Sequence, residues 1–120
     1  MKVAVPINRP REQGDLRVSS HFGKAYAFAV IDTETGEIQI VDNPRNVLKL
    51  EHGAGRFIAE TFEREGIKVV LLREIGAGAF GHLKSRGIEI FLVPQNIKTV
   101  QEAVEAFKKG ELQPLLAPNE

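Results

Sequence analysis

"LLREIGAGAFGHL" (Leu71–Leu83) runs from apolar residues into a cluster of glycines and then into helical spacing. Gly76, Gly78 and Gly81 match the G-x-G-x-x-G pattern of dinucleotide-binding folds, so the fold depends on how this turn is read. That fingerprint opens the first crossover of such a fold, and an acidic ribose ligand follows it. Here only about forty residues follow Gly76, and the next strand, IEIFLV (88–93), ends in Pro94-Gln95-Asn96 with no acid. The dinucleotide reading therefore fails. The glycines read instead as a tight strand-to-helix turn with close packing, in which Gly76 can still offer backbone N–H groups to a ligand.

Working outward, KVVLL (68–72) is a short apolar strand. Before it, Ala54, Phe57, Ile58 and Phe62 recur at helical spacing in GAGRFIAETFEREG, and Gly66 supplies the stop. A second helix spans about Ala77 to Arg86. The last helix carries the clearest start signal, a capping box of Thr99 and Glu102 ahead of the apolar stripe Val100, Ala103, Val104 and Phe107. Toward the N-terminus, KVAVPIN (2–8) alternates as a strand. A polar loop from Asn8 to about Ser20 carries Arg9, Arg11 and Arg17. AYAFAVI (25–31) and EIQIVD (37–42), joined by DTETG, then form a hairpin whose second arm lies nearer an edge. The proline-rich tail ELQPLLAPNE carries no clear element.

The order β-β-β-α-β-α-β-α fixes chain direction. Hairpins reverse it and crossovers restore it, so strands one, three, four and five all end at one rim of the sheet. The Arg-bearing loop, SSHFGK before strand two, Asn43, the helix starts at HGAG and IGAGAFG, and Pro94-Gln95-Asn96 all fall there. Open α/β sheets bind ligands outside the carboxyl ends of their strands, and helix N-termini suit anions. The rim is the predicted site.

Composition narrows the guest. Hydrophobic residues make up 42% and charged ones 27%, as in a single soluble domain spanning residues 1–120. No run is long enough to cross a bilayer, and MKVAVPIN lacks signal-peptide regions, which sets the expectation of a cytoplasmic protein without membrane contact. Sixteen basic residues balance sixteen acidic ones, and Trp is absent, so neither a global field nor a stacking surface favours nucleic acid. With zero cysteines the chain has no disulfide and no thiolate for zinc or an iron-sulfur cluster. Any metal must be held by histidine, carboxylate or backbone.

His21, after two serines and before Phe22-Gly23, admits three roles: metal ligand, donor to an anion, or satisfied structural histidine. His52 shares the rim and could partner it, whereas His82 falls on a solvated helix face. Arg9, Arg11, Arg17, Lys24 and Arg45 could clamp a carboxylate or phosphate, or simply be solvated. No G-x-S-x-G, cysteine nucleophile or His-x-x-Glu-His helix is present, and no acid-base pair can be named, so catalysis is not expected.

SSHFGKAYAF, with VDNP, HGAG, REGIKVVLLREIGAGAF and RGIEIF, resembles the dinitrogenase iron-molybdenum cofactor biosynthesis family from Lys2 to about Leu112. The resemblance implies a ribonuclease H-like three-layer α/β fold, with a mixed five-stranded sheet in the order 3-2-1-4-5 and three helices. It implies a non-enzymatic carrier for an iron-sulfur or iron-molybdenum cluster, bound transiently and exchanged with donor and acceptor proteins, in a monomer or homodimer. The family signature falls on Ser20, His21, Phe22, Gly23, Asn43, His52, Gly53, Gly55, Gly76 and Gly87, with His21 and His52 as the metal-ligand candidates. The alternative on the same rim is a module for a small anion or regulatory partner without metal. A nuclease of the same fold would need a carboxylate on the first strand, and KVAVPIN has none.

Overall fold

The computed structural model describes residues 1–11 and 14–120; positions 12 and 13 of the Asn8–Ser20 loop lie outside the described residues. The elements are β1 (Lys2–Ile7), β2 (Ala27–Asp32), β3 (Ile38–Asp42), α1 (Pro44–Val47), α2 (Ala54–Arg64), β4 (Ile67–Leu72), α3 (Ala77–Ser85), β5 (Glu89–Leu92), α4 (Val100–Lys108) and β6 (Gln113–Pro114). They build one sheet in the order β3-β2-β1-β4-β5-β6. β1 pairs antiparallel with β2 and parallel with β4, β2 with β3 and β5 with β6 are antiparallel, and β4 with β5 is parallel.

The order 3-2-1-4-5 stands, but among the described residues the sheet has six strands rather than five and there are four helices rather than three. Both additions are short elements made by context. β6 is two residues, one of them Pro114, and becomes a strand because its neighbours bond the open edge of β5, where the Leu115 amide donates to the Ile90 carbonyl at 2.8 Å. Proline is tolerated at such an edge, so tail composition conceals the pairing. α1 is a single turn started by Asn43 and Pro44.

β1 is covered on both faces, with Val3, Ala4, Val5 and Ile7 all at 0% exposure. One face packs Ala4, Val30 and Val70 against Ile58, Phe62 and Leu83 of α2 and α3. The other packs Val5, Ala29 and Leu71 against Val100, Ala103 and Val104 of α4. These contacts make three layers, and they explain why the central strands read as continuous apolar runs. β3 is the edge expected of the second hairpin arm, and its Ile38 and Ile40 remain exposed.

The capping box forms as read. Thr99 Oγ1 accepts from the Glu102 amide at 3.1 Å, and Glu102 Oε1 accepts from the Thr99 amide at 3.0 Å. These bonds hold the Glu102 carboxyl below its usual range. The Arg-bearing loop is tied down at its end, where Val18 and Val100 donate backbone bonds to the carbonyls of Lys98 and Leu16.

Candidate functional site

Chain direction puts the carboxyl ends of β1, β3, β4 and β5 on one rim, as read from the sequence. His21 is turned outward there by its neighbours. Phe22 is 1% exposed and packs its ring 5.4 Å from Phe28 and 6.0 Å from Phe62, anchoring the turn in the core. Buried Ser19 accepts the His21 amide at 3.1 Å. Asn43, fully buried, donates to the carbonyls of Gly23 and Ala25 at 3.1 and 2.9 Å, while its Oδ1 accepts from the Arg45 amide and starts α1. Asn43 therefore acts on the site by holding the turn, and Gly23 by offering its carbonyl. Ser20 is exposed; it is Ser19, absent from the signature, that makes the bond.

The loop between β4 and α3 is fixed from two sides. Arg73 is 7% exposed and donates to the Pro94 carbonyl and Gln95 Oε1 at 3.1 and 3.2 Å and to the Ile97 carbonyl. Burial lowers its pKa, yet a guanidinium stays charged. From the tail, Asn119 Oδ1 accepts from the Ile75 amide at 2.9 Å and its Nδ2 donates to the Arg73 carbonyl at 2.8 Å. Between these anchors the half-buried Glu74 reaches the rim. Nitrogen or oxygen atoms of His21, Glu74 and Glu120 all lie within 4.8 Å of one another. Sequence reasoning missed both acids, because Glu120 arrives on a tail with no periodic signal.

α2 and α3 both begin at this rim. Gly53 is the α2 N-cap with φ 75°, a backbone region that favours glycine, and Gly76 is the α3 N-cap in extended conformation. Neither cap bonds through a side chain, and neither first turn holds an acid. The two first turns touch, since a Cβ built on Gly55 would lie 2.6 Å from the Ala79 Cα. Gly55 thus provides the close packing expected of Gly78, which has nothing within 4 Å of its Cβ direction. His52 is exposed just before Gly53 and lies outside the His21 group. His82 is half-buried on α3 rather than fully solvated. Arg9 stacks over the Tyr26 ring at 5.2 Å, and Arg9, Arg11, Arg17, Lys24 and Arg45 make no ion pair among the described residues.

The rim thus combines the exposed imidazoles of His21 and His52, two adjacent helix N-termini and two carboxylates on an open surface. The family model for the dinitrogenase iron-molybdenum cofactor matches residues 1–110. The chain belongs to this family. An uncharacterized protein of Methanocaldococcus jannaschii is 30% identical over 117 residues, spanning 94% of this chain and 90% of its own length. The apo form of the orange protein from Desulfovibrio gigas superposes with a TM-score of 0.87 at 32% identity, covering 99% of this chain and 96% of that one. A Thermotoga protein of the DUF35 family, solved by NMR and provisionally named a NifB protein, superposes at 0.80 with 28% identity, over 99% and 97% of the two chains. Family members are small cofactor-associated proteins, and among the described residues no helix is long and apolar enough to cross a membrane.

Proposed function

We propose that this protein is a non-enzymatic cytoplasmic carrier that holds an iron-sulfur or iron-molybdenum cluster as cargo at the rim, between donor and acceptor proteins. The observation that carries the reading is the contact of the α2 and α3 first turns at Gly55 and Ala79, on the rim that also carries the exposed His21. Parallel helix dipoles placed side by side repel at their positive ends, and an anionic guest relieves that repulsion. The chain has no cysteine. A cluster that brings its own sulfides would be held by His21 and by backbone N–H groups near Gly53 and Gly76, a weak set suited to release. The buried guanidinium of Arg73, with no carboxylate bonded to it among the described residues, adds positive charge beneath the rim. Family membership supports the nature of the cargo, and on this reading the three layers are a six-stranded variant of the ribonuclease H-like fold.

Anaerobic titration with a cluster donor, followed by visible absorption, tests the proposal. Uptake by the wild type that is lost in His21→Ala is the expected result. No uptake, or equal uptake by the variant, overturns it.

A further inference from the structure

Two carboxylates stand beside His21 at the rim, and neither Glu74 nor Glu120 has a lysine or arginine partner within 4 Å among the described residues. Carboxylates this close repel unless something positive lies between them. They come from positions 74 and 120, and His21 from a third segment, yet each sits next to a fixed residue. Phe22 anchors His21, Arg73 and Ile75 flank Glu74, and Asn119 places Glu120 through three bonds to Arg73 and Ile75.

We propose that His21, Glu74 and Glu120 form a site for a single divalent transition-metal ion, set apart from the cluster site by its two carboxylate ligands. For three atoms no more than 4.8 Å apart, some point lies within at most about 2.8 Å of all of them. Zinc bonds to imidazole nitrogen and carboxylate oxygen are about 2.0–2.2 Å, so each side chain closes by at most about 0.8 Å, within the reach of its terminal torsions. Two carboxylates neutralise a divalent ion, which suits an open surface. The imidazole selects zinc, copper or nickel over calcium, whose ligands are oxygens. Three protein ligands leave the remaining positions open to water or to a group on a partner.

The site shares His21 with the carrier reading but does not depend on it, because Glu74→Gln and Glu120→Gln keep the imidazole. Zinc titrated calorimetrically into the full chain is expected to bind with one ion per chain. Each of His21→Ala, Glu74→Gln and Glu120→Gln should weaken it by about tenfold or more, judged against the 10–100-fold that even outer-shell changes cost. His52→Ala should leave it unchanged. The Gln variants should keep cluster uptake if the carrier reading holds, so the two ideas fail separately. All four side chains are exposed or half-buried, and circular dichroism verifies folding. Zinc binding that survives both Gln variants, or that disappears in His52→Ala, overturns the proposal, as does no binding by the wild type.

Discussion

Substituting Gly55 by alanine tests the contact between α2 and α3 most directly, because the outcome has opposite signs under two arguments. By helix propensity alone, Gly→Ala inside a helix stabilises by about 1 kcal/mol. The structure argues otherwise, since the new methyl would lie 2.6 Å from the Ala79 Cα, 2.8 Å from its Cβ and 3.0 Å from its amide nitrogen. Two of those three atoms are backbone, so relief requires the helices to separate rather than a side chain to rotate. Overpacking costs about 1–3 kcal/mol, and the backbone clash puts this case near the top, leaving a net loss of roughly 2 kcal/mol after the propensity gain. At this chain length that lowers the melting temperature by roughly 6–12 °C. Gly78→Ala is the matched control. It lies in the first turn of α3 with nothing within 4 Å, and it should raise the melting temperature by a few degrees. Thermal melts followed by circular dichroism read both. Unchanged or higher stability in Gly55→Ala would refute the close approach and, with it, the paired helix starts on which the carrier reading rests. Adding Ala79→Gly should rescue only in part, because the new methyl still meets the backbone at position 79.

Asn43→Ala removes a helix cap, takes the donor from the Gly23 carbonyl and leaves the Ala25 carbonyl with only the longer bond from Asn46; we expect a loss of about 2–4 kcal/mol in urea unfolding. The same variant should weaken zinc binding although Asn43 is not one of the three metal-site side chains, because the turn that aims His21 loosens. For Glu102, bonds from Thr99 depress the folded-state pKa, so its stabilisation is fully present above the ordinary glutamate range and is lost as pH falls through the lowered value. Melting curves of the wild type and Glu102→Gln should therefore converge as the solution is acidified, and a gap that widens toward acid would contradict the sign.

Much of this protein is settled by local sequence. Alternation in KVAVPIN, apolar continuity in β2 and β4, the capping box at Thr99 and the glycine stops fix the elements, because period and capping chemistry act within a few residues. Their order then fixes chain direction, and direction alone places His21, Gly53 and Gly76 on one rim. Three features depended on tertiary structure. β6 exists because the edge of β5 leaves backbone groups unpaired, which no composition of the tail reveals. Gly55, rather than the more conspicuous Gly78, is the glycine that must stay small, because the answer lies in which residue of a neighbouring helix it meets. Glu74 and Glu120, 46 positions apart, come together with His21 through the Asn119 clamp. Long-range contacts of this kind are set by the sum of packing across the whole fold, and nothing within reach of either residue in sequence encodes them.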